Sequence, residues 1–164
     1  MRYRDQPTVE AVRHLSCDPE TAWRYVTDIT LPVGNSAELI AAEWLGDADH
    51  VALGARFKGR NRNRLLGEWE TVCEVVEIEP GRRWVYNMLT SNGVGATWGF
   101  EVEPSAEGSL VRQWGRMGPA PTGVTVAIDA QPDKEARIVE RRLAQWLEGM
   151  QANLAHIAER TAEP

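Results

Sequence analysis

Five cations, Arg56, Lys58, Arg60, Arg62 and Arg64, fall at every second residue of one segment. In an extended chain successive side chains point to opposite sides, so all five would project from one face. Such a row could hold an anion or phosphate. It could equally form a ladder of ion pairs with Glu68, Glu70 and Glu74 on the next strand, each opposed pair contributing a few tenths to about 1 kcal/mol. The ladder is favoured because it turns Phe57 inward, and with it Asn61 and Asn63, whose amides could meet a ligand. His14 could act as a general base if it faced an interior, since imidazole titrates near neutrality. A lone strand histidine is more often a surface or satisfied core residue. Gln113 is the remaining polar candidate, so that His14, Asn61 and Gln113 form the set that could orient a substrate or move protons. Cys73 would need an activating base to be a nucleophile, and a buried thiol is usually inert packing. The three histidines, His14, His50 and His156, lie far apart without metal-ligand spacing. No metal and no cofactor is expected. Gly93 and Gly95 lack a following lysine or helix start and read as a hairpin turn, not as a phosphate loop.

These side chains need strands to aim them. Thr8 to Leu15 alternates loosely, and from about residue 38 turn signals recur at Gly46-Asp47, Gly54, Gly59, Pro80-Gly81, Asn92-Gly93 and Glu107-Gly108. The spacing predicts an antiparallel meander with strands near 41–45, 55–60, 68–78, 83–89, 96–102 and 110–116. Alternation places Trp69, Thr71 and Cys73 on the face opposite Glu68, Glu70 and Glu74. It likewise aligns Trp84, Tyr86 and Met88, and sets Trp98, Phe100 and Val102 against Glu101 and Glu103. Gln113 shares a face with Val111 and Met117; a slip of one residue would put Arg112 and Trp114 there instead. One sheet face is thus expected to be aromatic and the other charged. The chain has seven tryptophans against two phenylalanines, and several fall on the inferred inner face, where they either fill a core or wall a pocket.

Two helices frame the strands. Asp18 can cap a helix that starts at Pro19 and runs to about Ile29, with Ala22, Trp23, Val26 and Ile29 on one side. A short helix or turn is expected near Ser36. The last segment carries Ala136, Val139, Leu143, Trp146, Leu147, Met150, Leu154 and Ile157 at spacings of one helical face, with charged residues opposite. So long an amphipathic helix requires a broad apolar surface to lie on. The loop from Gly118 to Gly123 precedes it and could border a cavity mouth.

The chain's 164 residues and 43% hydrophobic content suit one domain spanning 1–164. A net charge of −6 argues against nucleic-acid binding, which requires neutralising phosphates. Cys17 and Cys73 read as free thiols in a reducing compartment. Residues 1–10 look like neither a signal peptide nor a membrane span, so a cytoplasmic protein without integral membrane association is expected, as a monomer or homodimer.

The strand-to-helix entry Leu15-Ser16-Cys17-Asp18-Pro19-Glu20-Thr21-Ala22-Trp23 with Asp28, the run Gly54 to Asn61, Trp69-Glu70-Thr71, and Val75 to Trp84 together resemble the START-like helix-grip (SRPBCC) superfamily. The resemblance, closest to its polyketide cyclase/dehydrase and lipid-transport type, covers about residues 8–158. It implies an α+β helix-grip fold: a curved antiparallel sheet of about seven strands wrapped around a long C-terminal helix, with two short helices after the first strand. It further implies an apolar cavity between sheet and helix for an aromatic polyketide, a lipid or a related natural product. Phe57, Trp69, Trp84, Tyr86, Trp98 and Phe100 would line it from the sheet together with Gln113, and Trp146 and Met150 from the helix. In cyclase members of the superfamily, polar groups in the cavity steer aldol closure or dehydration. A non-catalytic carrier, a sequestration or self-resistance protein, or a protein-interaction module remains the alternative, since function varies within one fold.

Overall fold

In the computed structural model, which describes residues 1–162, the chain runs β1 (Thr8–Leu15), α1 (Pro19–Val26), β2 (Leu39–Trp44), β3 (Arg56–Asn63), β4 (Gly67–Glu79), β5 (Arg83–Thr90), β6 (Gly93–Ser105), β7 (Gly108–Met117), α2 (Gly123–Ala130) and α3 (Glu135–Thr161). The strands form one seven-stranded sheet in the order β1-β7-β6-β5-β4-β3-β2, with every neighbouring pair antiparallel. Each strand expected from the turn spacing is present. Register irregularities at Leu39/Ala41, Val75/Glu77 and Met88/Leu89 bend individual strands and increase local twist, which curls the sheet. The α+β helix-grip architecture is therefore observed, with α3 lying on the concave side against β1 and β7.

Local chemistry fixes the helix ends. Asp18 accepts a hydrogen bond from the Thr21 N–H at 2.8 Å and Pro19 supplies the first helical residue, so α1 starts where the capping argument put it. It stops at Val26, three residues short of Ile29. There Thr27 Oγ1 donates back to the Trp23 carbonyl, and Asp28 accepts from both Thr30 N–H and Thr30 Oγ1, so successive turns replace the helix. These turns continue to Asn35 and bends follow through Glu38, so the segment around Ser36 is not helical. The second short helix is instead α2, after β7. Thr122 and Thr125 cap it reciprocally, a signal hidden within a stretch rich in proline and glycine.

Two clusters share the interior. The larger joins α1, the sheet and the C-terminal half of α3 through Ala22, Val26, Val75, Trp84, Phe100, Met150, Leu154 and Ile157. The smaller joins Tyr3, Met117, Ile128, Val139 and Leu143, so that α2 and the N-terminal half of α3 cover the end of β7. Trp146 touches both. Ala136, expected on the apolar stripe, is exposed because it lies beyond the surface that α2 covers.

α3 is also fastened across the open side of the grip. Arg142 donates to Glu38 through two nitrogens, at 2.9 and 3.1 Å, and Gly149 packs beside Ser36, where a Cβ would sit 3.9 Å from the Ser36 Cα. Burial raises the Glu38 pKa, but hydrogen bonding and charge from Arg142, aided by Asn63, outweigh it and hold the carboxyl below the ordinary glutamate value. A depressed folded pKa contributes stability that is complete above the unfolded value of about 4.3 and is lost as the pH falls through the folded one. Glu38→Gln is expected to cost about 1–2 kcal/mol at neutral pH, between an exposed pair and a buried charged hydrogen bond. Urea melts across a pH series should show wild type and variant converging in acid; a gap independent of pH would rule the clasp out as its source.

Candidate ligand-binding site

Across β3, β5 and β6 the inner face of the sheet carries a cluster of aromatic rings in contact. Phe57 on β3, Trp84 and Tyr86 on β5 and Phe100 on β6 share it because their positions are paired or offset by two in the observed register. Their rings touch: Trp84 stacks on Tyr86 at 5.0 Å and on Phe100 at 5.9 Å, while Phe57 meets Tyr86 edge-on at 5.1 Å. Trp44 on β2, not singled out by the alternation argument, extends the series with its edge against Phe57 at 5.5 Å. Trp84 is 2% exposed, and its Nε1 donates to the Val26 carbonyl at 2.9 Å, satisfying an orphan group at the end of α1. It is a structural keystone before it is a pocket wall.

A second aromatic contact joins the sheet to α3, which lies over the inner face as a lid. Trp98 on β6 and Trp146 on α3 have ring centroids 4.4 Å apart, and both are partly exposed. Gly115 on β7 leaves room for this arrangement, since a Cβ there would lie 2.9 Å from the Trp98 ring and 3.2 Å from the Met150 methyl. Met150 is itself buried. Trp69 shares the inner face but stands opposite Asn61, near the β3–β4 turn.

The polar candidates divide. Gln113 is 3% exposed on the inner face and its Oε1 accepts from Asn153 Nδ2 of α3 at 3.0 Å, which excludes the slipped register. Asn61 is also buried, donating to Thr71 Oγ1 at 3.3 Å. His14 is exposed and lies on the outer face, because Ala11 and Leu15 of β1 take the inward positions; it is removed from the site. Burial pushes the Cys73 thiol up to about 12, leaving it a protonated packing group. Burial, and more weakly Cys73, also raise the Tyr86 phenol, which stays a neutral hydroxyl.

The cation row is the outer-face ladder. Arg56 pairs with Glu74 at 2.7 Å, Lys58 with Glu43 at 3.2 Å and Glu70 at 3.4 Å, and Arg62 with Glu68 at 2.5 Å; Arg64 lies beyond the strand, in the turn. That face is not uniformly charged, however. Trp114 is only 7% exposed there, lying over Gly99 with Arg83, Arg112 and Arg116 at 5.5, 6.0 and 5.8 Å from its ring. Arg112 in turn bonds Glu10 and Glu101. Two open hollows, about 170 and 560 Å³, lie away from the aromatic interior, one along the outer ladder and one in the β2–β3 connection.

A curled antiparallel sheet closed over a long helix, with an aromatic inner face, defines the helix-grip class. The chain belongs to the polyketide cyclase / dehydrase and lipid transport family, whose model matches residues 6–160. Among solved structures it is similar to the polyketide-cyclase-like protein Cgl2372 from Corynebacterium glutamicum, at 25% identity over 92% of this chain and 88% of that one, with a TM-score of 0.64. It shares its fold with two di-domain ARO/CYC proteins. BexL of the BE-7585A biosynthetic pathway is 12% identical over 97% of this chain and 51% of that one, with a TM-score of 0.72. StfQ of the steffimycin pathway is 17% identical over 96% and 53%, with a TM-score of 0.68. The chain therefore spans about half the length of either di-domain protein. No curated protein matches it in sequence. Among the described residues no helix is long and apolar enough to cross a membrane.

Proposed function

We propose that the protein takes up a hydrophobic, ring-containing small molecule, an aromatic polyketide or a lipid-like natural product, between the sheet and α3. The observation that carries this reading is the unbroken ring series from Trp44 through Phe57, Tyr86 and Trp84 to Phe100, faced by the Trp98–Trp146 contact between sheet and lid. Flat ligands gain from offset or edge contacts with such rings, and sites for small molecules are mainly apolar with a few placed polar groups. The rings now cover one another, so uptake requires a ring to turn or the lid to lift. Trp98 and Trp146, partly exposed and bridging two elements, are best placed to do so.

The inner polar groups, Asn61, Thr71, Gln113 and Tyr86, carry no charge at neutral pH and therefore orient a ligand more readily than they remove its protons. Carriage or sequestration fits them directly. Polyketide cyclisation or dehydration is the second reading, favoured by the neutral Tyr86 phenol, which can donate to a carbonyl; multiple turnovers of a poly-β-keto substrate, abolished by Tyr86→Phe, would establish it.

Titration with fatty acids, sterols and aromatic polyketides, followed by tryptophan emission, tests the binding reading. One class should quench saturably, and Trp98→Ala should weaken its affinity about tenfold, as loss of a central aromatic contact does, while the protein stays folded. Silence across the whole panel would overturn the proposal.

A further inference from the structure

The apolar stripe of α3 contains one amide. Val139, Leu143, Trp146, Met150, Asn153 and Ile157 follow each other at alternating spacings of four and three, so Asn153 stands where the helix otherwise buries hydrocarbon or an aromatic ring. It is 3% exposed. Its Nδ2 donates to Gln113 Oε1, but its Oδ1 is enclosed and no donor among the described residues reaches it. A buried acceptor left unpaired is destabilising, because it has given up water and gained nothing in exchange. Gln113 lies beside Phe100 in the register, and Phe100 stacks on Trp84. The amide pair thus borders the aromatic interior directly.

We infer that Asn153 Oδ1 is the polar anchor of the ligand site and accepts a hydrogen bond from a hydroxyl on the bound molecule. The ligand class is thereby narrowed to apolar ring compounds that carry a phenolic, enolic or alcoholic O–H at the end facing α3. The Gln113 contact fixes the Asn153 side chain, so the acceptor is held in place before the ligand arrives. A hydroxylated ligand satisfies the oxygen, whereas a methyl-bearing isostere leaves it unpaired, and discrimination between the two follows. This inference rests on the binding reading above.

The test uses 2-naphthol and 2-methylnaphthalene, probes of similar size and shape, titrated into wild type, Asn153→Leu and Asn153→Ala with tryptophan emission as readout. Comparing the ratio of the two Kd values between proteins cancels the probes' different tendencies to leave water. Asn153 as anchor predicts a ratio that favours naphthol about tenfold more in wild type than in either variant, with methylnaphthalene binding retained by both. The alanine variant tests the same point should leucine overfill the site. Equal ratios in all three proteins would overturn the anchor and leave the aromatic site standing. Failure of both probes to bind wild type would overturn the site and the anchor together.

Discussion

Trp84→Ala is expected to lower stability by about 3–5 kcal/mol, the range for removing a large buried aromatic. The ring is nearly inaccessible and contacts Phe57, Tyr86 and Phe100 at centroid distances of 6.4, 5.0 and 5.9 Å. Truncation removes those contacts and also strands the Val26 carbonyl, which Trp84 Nε1 satisfies from 58 residues away in sequence. A chain of this length should lose roughly 10 °C or more in Tm. Trp84→Phe keeps much of the stack and deletes the donor, so its cost should fall to about 1–3 kcal/mol, the desolvation penalty of an unpaired buried acceptor together with some lost ring volume. Urea unfolding of the two variants measures both. Should the alanine variant unfold at the wild-type midpoint, the ring would not be the keystone described. The same reasoning makes Trp84 a poor reporter of ligand contacts, because its loss disturbs the whole inner face.

The second large effect lies on the opposite side of the sheet. A Cβ at Gly99 would stand 2.4 to 2.6 Å from three atoms of the Trp114 indole, well inside contact distance. That ring cannot simply swing aside, since three guanidinium groups surround it and Arg112 and Arg83 are themselves held by Glu10, Glu77 and Glu101. Gly99→Val should therefore cost about 1–3 kcal/mol from overpacking, and at the upper end because the displaced neighbour is rigid. The cause can be isolated by a double-mutant cycle. In a Trp114→Ala background the valine has room, and most of its penalty should vanish. A penalty unchanged by removing Trp114 would place the strain in the backbone instead.

Much of this was legible from periodicity. Alternation correctly set Phe57, Trp84, Tyr86, Trp98, Phe100 and Gln113 on one face, because a two-residue repeat leaves each strand only two choices and the acids marked the outer one. It also put Trp114 outward, opposite Gln113, but could not reveal that the ring is buried there, since the cue is a pair of positions on different strands, Gly99 and Trp114, that only register brings together. His14 shows the opposite limit: its parity with Val12 and not with Ala11 was readable, but β1 has two loosely alternating faces and little contrast between them. Asn153 was visible in the spacing of α3 yet hard to recognise, because an amide in an apolar stripe acquires meaning only once its neighbour on β7 is known. The helix at Gly123–Ala130 was obscured by local composition, with glycine and proline signalling a loop just where two threonines cap a helix.

The pairing of β1 with β7 sets the order in which this molecule can assemble. Thr8 faces Arg116 and Leu15 faces Ser109, so about a hundred residues must be enclosed before the first strand gains a partner, and α3 rests chiefly on that first strand. The meander from β2 to β6 needs only neighbouring turns and can form early, whereas closing so long a loop carries an entropic cost before any contact offsets it. During synthesis the growing chain therefore exposes the part of its aromatic surface that α3 covers until that helix returns to β1. That interval is when this protein most needs a chaperone or a low local concentration of its own kind.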